Sequence, residues 1–259
     1  MFELLKGKTV AITGASTGIG RAIARGMYQQ GANVVINYFP ENKEQIKEIL
    51  EKDYDNDTER VEFVLGDVSD PATSTDLVAK TVAKHGRLDV FVSNAGICKF
   101  YDFLEIPADE YRRHIDINLN GCYFATQAAA RQMAKQEPSG GSIIGISSIS
   151  ALVGGGYQTH YTPTKAGILS MMQSEAVALG KYGIRANALL PGTIRTQLND
   201  EDLADEVKRD AMNKRIPLGR FGLPTDLAGP AIFLACEELS GYVTGAQILV
   251  DGGLFVNLQ

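Results

Sequence analysis

Residues 9–13 (Thr-Val-Ala-Ile-Thr) form a short β-branched run that passes directly into Gly14-Ala15-Ser16-Thr17-Gly18-Ile19-Gly20, and residues 21–30 follow with helical composition. This strand, glycine turn and helix constrain the fold more than any other feature of the chain. A strand that is apolar throughout needs cover on both faces, and a helix that follows it at once supplies one cover. Residues 33–38 (Asn-Val-Val-Ile-Asn-Tyr) read as a second strand and close a β-α-β unit. The turn presents backbone N–H groups and a helix N-terminus, an arrangement suited to a pyrophosphate. Side chains at Gly14, Gly18 and Gly20 would obstruct that approach.

The alternation continues to the end of the chain. Strands are expected at 61–65, 90–93, 142–146, 185–190 and 245–251, with helical stretches at 41–59 (decaying into a loop from 53), 76–85, 111–133 and 166–179. No repeat, low-complexity segment or linker-like change of composition interrupts it. The expectation is an α/β fold: one domain over residues 1–259, a Rossmann-like doubly wound parallel sheet with helices on both faces. Two overlapping motifs fail on context. Gly14-x-Ser16-x-Gly18 resembles a serine-hydrolase nucleophile turn, but no histidine follows position 160. Gly7-Lys8-Thr9 resembles the end of a P-loop, but Phe2 stands at the first glycine position and a strand follows.

Composition narrows the partners. The 259 residues carry a formal net charge of -6, so there is no basic footprint for nucleic acid. The apolar runs are too short to span a bilayer, and residues 1–8 lack the pattern of a signal peptide. A cytoplasmic protein with a small-molecule partner is expected. Cys98, Cys122 and Cys236 show no Cys-x-x-Cys spacing, and His85, His114 and His160 no metal-ligand spacing, so reduced thiols and no metal site are expected.

Ligand sites on such sheets collect at the carboxyl ends of the strands. After the second strand stand Asn37, Tyr38 and Phe39, with neither the carboxylate that favours NAD nor an arginine that favours NADP. Use of NADP or NAD is expected, with Ser16, Thr17, Asn37 and Tyr38 as neutral contacts. Asp67, before Val68, either meets an adenine amino group or forms a turn. Asn94-Ala95-Gly96 are small enough to admit a ligand to the backbone. Asn118 is a polar amide in an apolar helical stretch, and its partners decide between a core brace and a site residue. Ser148 ends the fifth strand. Tyr161 and Lys165 lie one helical turn apart, where an ammonium would favour the phenolate and make Tyr161 an acid-base group. Pro163 is tolerated there only if the helix starts close to His160. Residues 194–215 form either a substrate lid or a solvated helical hairpin.

Thr13-Gly14-x-x-x-Gly18-x-Gly20, Asn94-Ala95-Gly96, Asn118, Ser148, Tyr161-x-x-x-Lys165, Pro191-Gly192, the 241–245 run Gly-Tyr-Val-Thr-Gly and Asp251-Gly252-Gly253 occur in one order across essentially the whole chain. Together they resemble the short-chain dehydrogenase/reductase family. The resemblance implies an NAD(P)-dependent oxidoreductase with Tyr161 as general base or acid. Lys165 would lower its pKa and hold a ribose, Ser148 would orient the substrate oxygen, and Asn118 would anchor a water in a proton relay. Gly14, Ser16, Gly18, Ile19 and Gly20 would bind pyrophosphate and adenosine, and Asp67 and Val68 would flank adenine. Asn94, Ala95 and Gly96 would line the nicotinamide side. Pro191 and Gly192 lead into Ile194 and Thr196, which would fix the carboxamide. The 35–38 and 154–156 segments resemble the glucose 1-dehydrogenase branch. Segments 146–155, 158–165 and 251–259 are similar to yeast and fungal members that oxidise the anomeric hydroxyl of L-rhamnose to a lactone. Ser150, Gln158, His160 and Asn199 could bond to a sugar, although Gln158 and His160 equally suit a helix start. A ketone or 3-oxoacyl reductase is the alternative activity. A homotetramer paired through the helices at 111–133 and 148–179 is also implied.

Overall fold

The computed structural model describes residues 3–197 and 206–257. Seven strands form one wholly parallel sheet: β1 (Thr9–Ile12), β2 (Asn33–Tyr38), β3 (Val61–Leu65), β4 (Val90–Ser93), β5 (Gly141–Ile146), β6 (Ile184–Pro191) and β7 (Gln247–Val250). Their spatial order is β3-β2-β1-β4-β5-β6-β7. The chain therefore winds outward in one direction from β1 to β3, then crosses back to β4 and proceeds in the other. A crevice opens where the direction reverses, above the carboxyl ends of β1 and β4.

Alternate side chains of the same strands enter two separate cores. Val10, Ile12, Val34, Ile36, Ile144 and Leu189 face α1 (Gly18–Gln29), α2 (Lys43–Tyr54) and α8 (Ala228–Ala235). Ala11, Val35, Phe91, Ile143, Ala188 and Leu190 face α3 (Pro71–His85), α5 (Gly121–Lys135) and α6 (Thr162–Leu179). This is why the strands read as unbroken apolar runs. Each fully buried Ile, Leu or Phe contributes about 1.5–3 kcal/mol by its removal from water.

Three elements differ from the sequence expectation. Helix α3 begins five residues earlier than 76, because the Asp70 side chain accepts from the Ala72 N–H (2.9 Å) and Pro71 occupies the first turn. The expected helix at 111–133 starts at α4 (Ala108–His114) and continues into α5 through a π-helical stretch, Ile115–Asn120, which contains Asn118. After α7 (Glu206–Arg215), the region without an expected element folds into α8 and the short α9 (Glu237–Ser240). Helix α8 is almost entirely apolar and lacks amphipathic alternation because it packs between α1 and the sheet. No helix among the described residues is long and apolar enough to cross a membrane.

Candidate active site

The crevice is a cavity of about 760 Å³ that runs from the β1 turn to the N-terminus of α6. Its first half is built from backbone. Helix α1 starts after Thr17, whose side chain caps nothing, and no acidic residue stands in the first turn. The leading N–H groups of α1 therefore face the cavity beside Ser16, Thr17, Gly18 and Ile19.

The glycines answer to the protein before they answer to any ligand. Gly14 has φ +60°, and a Cβ there would sit 2.8 Å from the Ala95 Cα. Gly20 does not line the cavity, and a Cβ on it would press directly onto the Asn94 amide nitrogen. Gly18, with φ +54° and only the Thr196 methyl at 3.5 Å, is the one of the three whose missing side chain leaves the cradle open. Asn94 explains the tight packing: its Nδ2 donates to the carbonyls of Thr13 and Gly14, both at 3.0 Å, and ties the end of β4 to the turn.

Several expected contacts take other positions. Asn37 lines the cavity, yet its amide is committed internally. Its Oδ1 accepts from the Gly14 N–H (3.2 Å) and its Nδ2 donates to the carbonyls of Val64 and Gly66. Tyr38 does not line the cavity. It alternates to the opposite side of β2 and meets Phe63 edge-on at 6.3 Å, while Phe39 and Pro40 line the wall instead. Asp67 accepts from both the N–H and hydroxyl of Ser69, so its turn-forming role is realised while it also lines the cavity beside Val68.

The second half is built from side chains. Ser148, Ser150, Gln158, Tyr161 and Lys165 line it together, with Ala95, Gly96, Pro191, Gly192, Ile194 and Thr196 completing the wall. Tyr161 caps α6 and Thr162 opens it, so Pro163 falls in the first turn, where its missing N–H costs nothing. The Lys165 ammonium lies 5.6 Å from the Tyr161 ring centre and donates to the Ile146 carbonyl (2.9 Å). Burial pushes it down to about 8. Burial likewise pushes the Tyr161 phenol above its ordinary range, opposed by its hydrogen bond with Ser148. In this fold desolvation, rather than the Lys165 charge, is the larger influence on Tyr161.

Asn118 is wholly buried and does not line the cavity. Its Oδ1 accepts from the Ile97 N–H (2.8 Å), and its Nδ2 donates to the Ile97 carbonyl (2.9 Å) and the Thr164 hydroxyl (3.3 Å). Thr164 in turn donates to the Tyr161 carbonyl (2.6 Å). The amide thus connects the strap after β4 to the start of α6. His160 is also buried and stands behind Tyr161, outside the cavity wall. Asn199 lies outside the described residues, as does the 198–205 part of the expected 194–215 lid; α7 contributes Met212 to the wall. Cys98, Phe100, Arg113, Ile117 and Val153 also line the cavity. Sequence reasoning missed them because they come from loops and a helix whose approach only the fold defines.

A family model described as "Enoyl-(Acyl carrier protein) reductase" matches residues 14–255. An L-rhamnose-1-dehydrogenase of Scheffersomyces stipitis is 61% identical, with 100% of both chains covered. The chain belongs to the short-chain dehydrogenase/reductase family. An L-rhamnose 1-dehydrogenase (NAD(P)(+)) of Sphingomonas sp. is 57% identical over 99% of this chain and 100% of the relative. A gluconate 5-dehydrogenase from Burkholderia cenocepacia, solved with NADP and tartrate, superposes with a TM-score of 0.89 at 32% identity. It covers 97% of this chain and 96% of that one. As a member of this family the protein is an NAD(P)-dependent oxidoreductase acting on a CH–OH or carbonyl group of a small molecule. The cavity fits that cofactor: the uncapped α1 N-terminus suits the pyrophosphate, and no carboxylate among Asn37, Phe39 and Pro40 opposes a 2′-phosphate.

Proposed function

We propose that the protein oxidises the anomeric hydroxyl of a sugar to the lactone, with L-rhamnose as the first substrate. The observation that carries this reading is the 61% identity over the full length of both chains to a relative bearing that activity in its name. NAD(P), when bound, supplies the hydride acceptor. Tyr161 takes the proton of the reacting hydroxyl, and Ser148, hydrogen-bonded to the phenol, orients the same oxygen. Lys165 holds positive charge beside the phenolate as it forms. Asn118, through Thr164, fixes the backbone from which Tyr161 projects. Gln158 and Ser150 supply further hydrogen bonds to the sugar from the cavity wall.

The test is the initial rate of reduced-nicotinamide formation with L-rhamnose, L-mannose, L-lyxose and D-glucose, each with NAD and with NADP. Turnover of the first three and little with D-glucose is expected, and Tyr161→Phe should lower kcat by roughly 10²–10⁴-fold. Full activity of that variant would remove Tyr161 from the role. A second reading, carbonyl reduction, draws support from the apolar wall of Phe100, Ile149, Val153 and Met212. Silence on every sugar with NADPH oxidation by ketones would establish it. We also propose a homotetramer, supported by Tyr123 on α5 and Val177 on α6, which are 48% and 86% exposed. Light scattering on the purified protein measures the mass directly.

A further inference from the structure

His114 and His160 are buried at 0% and 1% exposure, and no step described above uses either ring. They meet edge-to-face with ring centres 4.3 Å apart. His114 belongs to α4, whereas His160 immediately precedes Tyr161. A third ring, Tyr101 on the strap after β4, closes on His160 at 5.7 Å. The same strap is tied to the α6 entry by the Tyr101 N–H donating to the Tyr157 carbonyl (3.0 Å) and by the Gln158 amide donating to the Cys98 sulfur (3.2 Å). Three segments that bound the substrate half of the cavity are therefore joined through one imidazole pair.

The protonation of the pair follows from its contacts. His114 Nδ1 lies 2.8 Å from the Glu110 carbonyl oxygen, which can only accept, so Nδ1 carries the hydrogen and Nε2 is a bare acceptor. That Nε2 has no hydrogen-bond partner, whereas the His160 ring meets the backbone of Lys99 on the strap, a contact that favours its proton. A buried imidazole pair directly behind an acid-base site calls for a role. Burial lowers the proton affinity of both rings, and for His160 the His114 ring lowers it further.

The surroundings compensate a positive charge only in part, and burial outweighs them. From α4, the Glu110 Oε2 is 3.9 Å from His114 Nδ1, while the Oε1 of the same carboxylate is paired with Lys99 of the strap at 2.9 Å. Arg113, adjacent to His114, adds a further positive charge. Tyr101 from the strap and Tyr161 from the α6 entry are the remaining titratable neighbours, and burial holds the Tyr161 phenol in its neutral form. A proton on the pair is thus buried beside two cations and one carboxylate that it shares with Lys99. His160 can relieve that only by moving, and its backbone continues directly into Tyr161.

We propose that His160, held by His114, is a positioning residue for Tyr161, and that one proton shared by the two rings releases the α6 entry and withdraws the phenol from alignment. This rests on Tyr161 as the acid-base group of the proposed reaction. It adds a second ionisation on the acid side of the rate profile, separate from that of Tyr161 itself. The neutral pair keeps the site assembled, and acidification below the ordinary histidine range disassembles it without unfolding the sheet.

The first readout needs neither substrate nor cofactor. Protein labelled with 13Cζ-tyrosine is titrated from pH 8 to pH 5, with the Tyr161 signal assigned by its loss in Tyr161→Phe. In the wild-type protein that signal shifts with a single histidine-like titration. In His160→Phe, which retains an aromatic ring against His114, and in His114→Phe, the shift disappears. A Tyr161 signal that is flat in the wild type, or that moves identically in both variants, overturns the proposal. The second readout is log(kcat/KM) for L-rhamnose against pH. Wild type falls about 100-fold per pH unit once both groups are protonated, and His160→Phe about 10-fold. Equal slopes, with Tyr161→Phe inactive, defeat the positioning role and leave the catalytic assignment intact. Activity in Tyr161→Phe defeats the assignment itself. Melting temperatures at each pH separate realignment from unfolding.

Discussion

Helices α1 and α6 open into the same cavity from opposite faces of the sheet, and they serve it by opposite means. Helix α1 offers backbone: its first turn is glycine-rich and uncapped, and its buried face of Gly20, Ile23, Ala24 and Met27 contains nothing that titrates. Helix α6 and its cap offer side chains. Tyr161, Lys165 and Glu175 all lie on that one element, and burial displaces the proton affinity of each. A site made of backbone depends on the absence of atoms and fails by steric intrusion. A site made of buried side chains depends on desolvation, and it fails by loss of charge or by a change of pH.

The sharpest way to break this contrast is Lys165→Met. It should lower kcat by roughly 10²–10⁴-fold, while stability stays within about 1 kcal/mol, because a buried ammonium is costly to desolvate and its loss offsets the lost bond to Ile146. Urea denaturation beside steady-state kinetics measures both, and a large loss of stability with normal turnover would reverse the roles given to the two helices.

On the backbone side, Gly14→Ala combines a left-handed φ with a Cβ against Ala95. A destabilisation of about 2–3 kcal/mol is expected, with weaker NAD(P) binding by fluorescence titration. An unchanged midpoint and affinity would mean that the turn relaxes freely. The smallest effect belongs to Glu175, pushed up to about 7 by burial against a hydrogen bond from the Thr126 hydroxyl (2.6 Å). Between its ordinary pKa and about 7, the folded state holds a proton that the unfolded state has released. Its contribution is therefore fully present below pH 4 and is lost as pH rises through 7. Glu175→Gln should raise stability at pH 8 by about 1–2 kcal/mol and leave it unchanged at pH 4. A gain of equal size at both pH values would show that packing, not ionisation, is responsible.

The same contrast divides what could be read in advance from what could not. The parallel sheet, its helical cover and the glycine turn follow from local signals: β-branched runs, glycine spacing, and the helix after each strand. The meeting of Ser148, Tyr161 and Lys165 in one cavity agrees with their expected places at the ends of β5 and the start of α6. Local signals failed where two side chains compete for one direction. Tyr38 and Asn37 are neighbours, and only the pleat of β2 decides which faces the cavity. His160 and Tyr161 are neighbours too, and the position of α4 decides that the imidazole turns inward. Asn118 offered only an unplaced amide until Ile97 and Thr164 were brought to it.

The order of the strands and helices, the backbone cradle and the residue types available for acid-base chemistry were legible in the chain, because these depend on periodicity and on where glycine is tolerated. Folding alone settled which side chains reach the cavity, which brace it from behind, and how strongly each holds its proton. Those properties depend on burial and on partners distant in the chain, and desolvation is a property of the folded surroundings rather than of any residue alone.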